Sequence, residues 1–452
     1  MNHDHPIVVR VIGAGLAGCE VAYQLAQRGI PVELLEMKPL RRTPAQITDS
    51  FAELVCSNSF RSADLKNAIG LLKWEMRTAG SLVMDVADEV SVPAGSALAV
   101  DRDRFSERMT QRIHSHPMIT VKSEVVEAIP PQADGYYTVI CTGPLTDSSL
   151  ASAIAELTGR ESLYFYDAIA PIIDSDSINW NIIWRQSRYD KGEGADYANI
   201  PMNQDEYYSF IQSILDGEKV TPRAFEEAKY FEGCLPIEVM ASRGVETLAH
   251  GPLKPVGLID PRTGEQPYAV AQLRMENLEA SAWNMVGFQT RLKYPEQKRI
   301  FKSLPGLENA EFLRFGSIHR NTYIHSPTIL NQHLQCIHRD DLFFAGQITG
   351  VEGYVESTAC GQLIAWQLLA KLTGSNDAYI PPPTTAFGAI YRHLRHDGMY
   401  GNYGPSNINW SFFSPIKKIR RERRADKRNR LSKRAQEDFL QWWNSQPIKC
   451  SP

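Results

Sequence analysis

The sequence has no apolar run near the roughly 18 residues that a membrane-spanning helix needs. Its first residues, MNHDHP, lack a basic stretch followed by a long apolar one, so no secretory signal is expected. Seven cysteines, an odd number, are scattered with no C-x-x-C pair. That excludes a disulfide framework and a zinc ribbon, and a reducing cytoplasm is the expected location. There is no excess of positive charge either. The formal net charge is −4, so no global field draws the chain to nucleic acid or to an anionic membrane. Repeats and low-complexity segments are absent too. What remains is a chain of 452 residues, 43% hydrophobic and 22% charged, long enough for two or three globular domains.

The opening reads as a complete βαβ unit. Val8 to Ile12 form a short, largely β-branched strand, and Ala17, Val21, Leu25 and Ala26 recur at helical spacing. Gly29 closes the helix, and a second strand from Val32 ends at Glu36. Between strand and helix, Gly13, Gly15 and Gly18 make G-x-G-x-x-G. The first glycine permits the tight turn, the second lets the backbone approach a pyrophosphate, and the third lets helix and strand pack closely. Glu36 falls where a carboxylate accepts both ribose hydroxyls. The candidate dinucleotide site is therefore Gly13, Ala14, Gly15, Leu16, Ala17, Gly18 and Glu36.

Two later stretches favour FAD over NAD. TVICTGP (Thr138 to Pro144) is a hydrophobic strand ending in Thr-Gly, which adds Gly143. FFAGQITGVEGYVES (Phe343 to Ser357) is a strand, a glycine-rich turn and a helix start, which adds Gly346, Gln347, Gly353 and Tyr354. Both resemble signatures of flavoproteins with two dinucleotide-binding domains. S-adenosylmethionine methyltransferases share the G-x-G start but lack this second pair. The fold class expected is α/β: a Rossmann-like FAD-binding domain of the two-dinucleotide-domain type with an α+β insertion. The expected boundaries are 1–155 for the N-terminal part of the FAD domain, 156–325 for the insertion on the substrate side, and 326–452 for the C-terminal part with a basic helix. A strand pair is expected around 119–128 and 136–143. The mixed-sign run at 417–434, the strongest charge run, reads as a solvated helix face or a phosphate contact, and Arg41 and Arg42 are further phosphate candidates.

Two cysteines stand apart. FAELVCSNSFRS (51–62) sets Cys56 where apolar residues give way to hydroxyls, an amide and Arg61. From about Ser57 the pattern turns helical through Leu65, Ile69, Leu72 and Met76, so Ser57, Asn58 or Ser59 is expected to cap a helix beginning beside the thiol. A helix N-terminus and a cation both favour thiolate; the alternative is a partly buried, inert cysteine. FEGCLPIEVMASRG (231–244) holds Cys234 between a glycine and Leu-Pro, which suits a thiol facing a cavity. Cys19 and Cys360 sit inside helices and read as packing. Cys141 lies on a strand, and Cys336 with His338 is a lone C-x-H. No metal site is expected.

Together GAGLAG, LVCSNSFRS, EGCLPIE, RLKYPEQKRIF, GQITGVEGYVES and YGNYGPSNIN resemble the folate- and FAD-dependent tRNA uracil-5-methyltransferase (TrmFO) family, itself related to the GidA/MnmG tRNA-modifying flavoproteins. The resemblance runs from about residue 8 to beyond 410. It implies formation of 5-methyluridine in the T-loop of tRNA, with 5,10-methylenetetrahydrofolate as carbon donor, FAD as reductant, and NADPH or NADH to regenerate it. It implies Cys234 as nucleophile at uracil C6, Cys56 as general base or helper in methylene transfer, and Tyr354 packed near pterin and flavin. No membrane and no obligate protein partner are expected.

The chemistry independently calls for such parts. Uracil C5 is a poor nucleophile until a thiolate adds to C6, and a base must remove the C5 proton. The target base must also leave its stack, and Tyr354 or Tyr403 offers a ring to receive it. Three alternatives stay open: the same chemistry on ribosomal RNA, GidA-like wobble-uridine modification, or a non-catalytic flavin-bearing RNA-binding module. The short stretch after the last glycine signature argues against the second, since GidA proteins carry an added helical domain.

Overall fold

The computed structural model describes residues 7–43, 45–159, 163–190, 195–220, 235–374, 379–397, 403–417 and 419–447. Strand β1 (Val8–Ile12), helix α1 (Leu16–Ala26) and strand β2 (Val32–Glu36) form where the spacing predicts them. Then come β3 (Ser59–Ser62), α2 (Ala68–Thr78), α3 (Leu82–Glu89), β4 (Ser91–Val92), β5 (Ala97–Val100), α4 (Arg102–His114), β6 (Ile119–Ser123), β7 (Tyr136–Ile140) and α5 (Ser148–Thr158). Strand β16 (Leu342–Phe344) returns much later to this sheet.

The sheet order is β6-β2-β1-β7-β16, and every pair is parallel. This is the doubly wound Rossmann order, with its switch point between β1 and β7. Val9, Val11, Leu34 and Val139 are fully buried because helices cover both faces of the sheet, as parallel sheets require. The expected pairing of the strands near 119 and 136 does not occur. β6 and β7 lie on opposite sides of the β1–β2 pair, because parallel strands connect through crossovers rather than hairpins.

The chain leaves this layer along β8 (Leu163–Ala168) and comes back along β15 (Ile318–Tyr323), which pair antiparallel as a two-stranded ribbon. Between them lie β9 (Ile172–Asp174), β10 (Trp184–Arg185), β11 (Tyr197–Met202), α6 (Gln204–Asp216), α7 (Ile237–Ser242), α8 (Thr247–His250), β12 (Ala269–Met275), β13 (Ala282–Val286), α9 (Tyr294–Phe301) and β14 (Phe312–Arg314). The strands form an antiparallel sheet of order β10-β11-β12-β13-β9-β14. Tyr207, Trp283, Phe288 and Phe301 anchor its own core.

Beyond β15 come α10 (Ser326–Ile329), β16, the long helix α11 (Tyr354–Leu372), α12 (Ala386–Arg395) and α13 (Arg424–Ser445). α11 packs along α1 at very short range. A Cβ added to Gly361 would stand 2.7 Å from the Ala17 carbonyl oxygen, so only glycine permits this contact. Buried Glu75 of α2 accepts the Ala386 and Phe387 N–H groups at 2.7 and 2.9 Å, which caps α12. α13 presses Phe439 onto Trp74 and Trp443 onto Trp366. Among the described residues, no helix is long and apolar enough to cross a membrane.

Candidate active site

A cleft of about 1110 Å³ opens at the carboxyl ends of the parallel strands. Its walls come from the turn after β1 (Gly13, Gly15–Ala17), the end of β2 (Glu36), the stretch after β6 (Glu124–Val126), the turn after β7 (Cys141–Asp147) and that after β16 (Gly346, Gln347). Ligands bind doubly wound sheets at this topological position. The cleft runs from the turn after β1 to the turn after β16, along the ends of several strands.

The glycine roles expected from sequence are visible. Gly13 has φ +99°, a conformation that L side chains rarely adopt. A Cβ on Gly18 would stand 1.8 Å from the Gly13 carbonyl oxygen, whereas one on Gly15 would meet nothing within 4 Å. Gly18 therefore serves packing, and Gly15 faces open space. α1 begins there with Gly15 as an N-cap that offers no side chain, so its first N–H groups and its dipole are available to an anion. Glu36 is fixed by two N–H donors, Ala14 at 2.7 Å and Lys38 at 3.1 Å. Its carboxylate thus stands ready at the edge of the cleft.

Polar atoms in the wall fit a hydroxyl-rich cofactor such as FAD. Glu53 and Thr43 both line the cleft. Buried Thr43 Oγ1 has no hydrogen-bond partner within the protein, and a buried polar atom left unpaired costs about 1–3 kcal/mol. Glu53 Oε2 likewise accepts no hydrogen bond, though Lys38 Nζ stands 3.7 Å away as its counter-charge. Hydroxyls of a bound ligand would satisfy the Thr43 oxygen and donate to Glu53. At the far end Gly346, Gly350 and Gly353 all have positive φ (+82°, +89° and +100°), and they shape the turn that starts α11. This helix also lacks a side-chain cap, so a second helix N-terminus borders the cleft through Tyr354 and Ser357. Gly143, at φ +68°, turns the chain after β7.

Cys56 sits beside this end, next to the lining residue Val55. Its backbone N–H donates to the Tyr354 hydroxyl at 2.7 Å, and the Ser57 N–H donates to the same oxygen at 3.1 Å. Burial pushes the Tyr354 phenol up, with the Cys56 sulfur adding to that effect, so Tyr354 stays a neutral anchor. From the insertion sheet, Arg274 of β12 donates to Asn58 Oδ1 (2.9 Å) and Ser57 Oγ (2.8 Å). Asn58, fully buried, donates to the Val100 and Met275 carbonyls. Arg102 bonds Glu276 at 2.8 Å and reaches the Leu54 carbonyl. Residues 54–58 are thus gripped by α11, α4 and β12 together.

Several expectations need correction. No helix starts at Ser57: residues 59–62 form β3, and α2 begins at Ala68. No helix therefore begins beside the Cys56 thiol in its own stretch of chain, and Ser57, Asn58 and Ser59 cap no helix. Their side chains instead stabilise a turn and receive Arg274. Arg61 pairs with Glu356 at 3.1 Å rather than with the thiol. Arg41 pairs with Asp147 and Glu127, and Arg42 with Asp49, so both guanidinium groups are already matched by acids. Tyr403 is buried, donates to the Thr349 carbonyl and stacks on His393; it braces the glycine turn and is not part of the cleft wall. Cys141 follows β7 rather than lying within it. Cys19, Cys141, Cys336 and Cys360 are buried, and burial raises all four thiols. Cys234 lies outside the described residues. Glu238, four residues on, is buried and accepts Thr290 Oγ1 and the Arg291 N–H, both at 2.9 Å. Among the described residues, no cluster of three His, Cys, Asp or Glu is placed to hold a metal ion.

Known proteins resemble this chain over most of its length. The family described as Glucose inhibited division protein A (GIDA) matches residues 8–376. Methylenetetrahydrofolate–tRNA-(uracil-5-)-methyltransferase TrmFO of Myxococcus xanthus is 56% identical over 438 residues, covering 96% of this chain and 94% of that protein. The proteins of that name from Anaeromyxobacter dehalogenans and Desulfotalea psychrophila are each 52% identical over 98% of this chain, with 98% and 99% of their own lengths covered. The solved structure of Aquifex aeolicus GidA superposes with a TM-score of 0.66 at 16% identity, over 98% of this chain and 76% of that one, a likeness of fold alone. With a GIDA match over most of its length and relatives this close, the chain belongs to the TrmFO family of GidA-related flavoproteins.

Proposed function

We propose that this protein methylates C5 of a uridine in the T-loop of tRNA, with 5,10-methylenetetrahydrofolate as carbon donor. The observation that carries the reading is the placement of the Cys56 backbone on Tyr354, at the end of a dinucleotide cleft. The relatives named for this reaction, 50% identical or more, supply the substrate classes. Gly13, Gly15, Glu36, Glu53, Thr43, Gly346 and Gln347 would hold FAD. When bound and reduced by NADPH or NADH, FAD supplies the electrons that turn the transferred methylene into a methyl group.

In this reading the Cys234 thiolate adds to uracil C6, which makes C5 nucleophilic toward the folate methylene. Cys56 takes the C5 proton. The new C–C bond forms at C5 as the methylene's bonds to the folate nitrogens break and tetrahydrofolate leaves. The C5–H bond breaks with its proton passing to Cys56, and the thiolate leaves C6 once two electrons from the reductant have turned the methylene into a methyl group. Tyr354 holds the Cys56 backbone and Arg274 holds the Ser57 and Asn58 side chains beside it, so that proton transfer occurs from a fixed geometry. We assign residues 156–325 to the RNA side, because Cys234 falls there in sequence and β12 of the same segment grips the Cys56 loop. The reaction belongs in the cytoplasm, where tRNA and reduced folate occur.

The test is transfer of carbon from labelled methylenetetrahydrofolate to an unmodified tRNA transcript, with the product nucleotide mapped. Cys234→Ala and Cys56→Ala are each expected to abolish transfer while retaining FAD. Undiminished transfer in Cys234→Ala would remove the nucleophile. Label mapped to a ribosomal RNA fragment, with none in tRNA, would move the substrate assignment.

A further inference from the structure

The run 417–434 carries eleven lysines and arginines against two acids, a net charge of +9 in a chain whose total is −4. The remainder of the chain therefore carries −13. This asymmetry makes the run a region that attracts a polyanion on an otherwise acidic chain. The run is not one extended solvated helix. Arg430 pairs with Glu422 at 2.6 Å and donates to the Lys417 carbonyl at 2.9 Å. Arg434 donates to the Pro415 and Ser414 carbonyls at 3.0 and 2.5 Å. Ser414, Pro415, Lys417 and Glu422 are thereby held against the first turns of α13. Two limbs of cations result, Lys417, Arg420 and Arg421 on one, Arg424, Lys427 and Arg428 on the other.

These six differ from their neighbours in lacking an acid partner among the described residues. Arg423 is matched by Asp426 at 2.9 Å, Arg430 by Glu422, and Lys433 stands 3.9 Å from Glu437. Among the described residues, the six have no acid within ion-pair distance. Arg420, Arg421 and Arg424 are exposed. The opposite face of α13 cannot turn outward, because Leu431, Ala435, Phe439 and Trp443 are buried. The cluster is also tethered to the site. The Ser406 carbonyl accepts from the Glu352 N–H at 3.0 Å, and the Ile408 N–H donates to Glu356 at 3.0 Å, at the start of α11. Eight residues lie between Ile408 and Lys417, so Lys417, at the near edge of the cluster, lies within about 30 Å of Ile408.

We propose that this folded-back cationic cluster docks the phosphate backbone of the tRNA outside the loop being modified. The proposal rests on the tRNA reading above and names where that substrate is held. The test uses the full-length FAD-loaded protein carrying R420Q, R421Q, R424Q, K427Q and R428Q together. Binding of an unmodified tRNA transcript is followed by fluorescence anisotropy across a KCl series, beside methyl transfer and binding to vesicles rich in phosphatidylglycerol. Kd and KM for tRNA are expected to rise about tenfold or more, with kcat at saturating tRNA retained. The slope of log K against log[salt] should fall by about one for each phosphate that the variant no longer neutralises. R423Q, which removes a charge already paired, should change little.

Unchanged tRNA affinity and salt slope in the fivefold variant would overturn the proposal. So would loss of vesicle binding with tRNA affinity intact, which would make the cluster a membrane contact. Failure of the wild-type protein to methylate tRNA would instead strike the functional reading, so the two failures are distinguishable.

Discussion

The Cys56 backbone N–H and the Tyr354 hydroxyl meet at 2.7 Å across 298 residues of sequence. Tyr354 is the first residue of α11, so the helix whose N-terminus borders the cleft also fixes the backbone that carries the thiol. Tyr354→Phe removes the acceptor of two N–H groups at once, at a local cost of about 1–3 kcal/mol. The expected outcome is about a tenfold or greater fall in kcat with FAD content retained, and a changed rate of iodoacetamide labelling at Cys56. Unaltered kcat and labelling would show that the hydroxyl does not position the thiol.

The grip from the insertion sheet predicts a similar split. Burial disfavours the Arg274 charge, and nearby Glu276 partly offsets this. Its bonds to Asn58 and Ser57 use two different nitrogens of the guanidinium fork. Lysine has no such fork. Arg274→Lys is expected to lower kcat about tenfold while FAD binding, made by the other sheet, stays within about twofold. A variant that loses FAD and activity in parallel would point to general misfolding instead.

Much of this was legible in the sequence. The βαβ opening shows because its strand run, helical spacing and glycines are all local. The three cofactor stretches converge because each ends a strand of one parallel sheet. The order of those strands is not local, and β6 and β7 proved to be separated by β2 and β1. The stretch after Cys56 misleads for a different reason. Leu65, Ile69, Leu72 and Met76 do have helical spacing, but Asn58 is claimed by carbonyls of Val100 and Met275, and Arg61 takes φ +64°. Tertiary partners set that conformation. The clamp left one readable trace. Gln272, Arg274 and Glu276 alternate with apolar residues near β12, and all three are buried. A polar stripe with period two on a buried strand marks a polar partner, but not which one.

The glycine turn predicts opposite behaviour at two neighbouring sites. Ala at position 15 meets open space, and the native φ of −75° suits it. Gly15→Ala should leave apo-protein stability within about 0.5 kcal/mol while weakening FAD binding, read by titration of the apo-protein. Gly18→Ala pushes a methyl into the Gly13 carbonyl and should destabilise the apo-protein by about 1–3 kcal/mol. Equal unfolding midpoints for the two variants would contradict this division of roles.

Lys73 predicts a pH dependence of stability. It is fully buried in α2, and its Nζ donates to the Phe60 and Arg61 carbonyls at 2.8 and 2.9 Å. Burial, then Arg77 and Arg61, push its ammonium down from 10.5 to about 7. Between those values the unfolded chain holds a proton that the folded chain has released. Stability therefore rises with pH across that window, and the destabilising influence of the buried charge is fully present below it. Lys73→Met removes the titrating group and also leaves two carbonyls without this donor, so absolute stability is a poor readout and the slope is the useful one. Urea midpoints of the apo-protein from about pH 7 to about pH 10 should climb more steeply in the wild-type protein than in Lys73→Met. Parallel curves would mean that the buried amine keeps its proton throughout, held by the Phe60 and Arg61 carbonyls against the desolvation that opposes it.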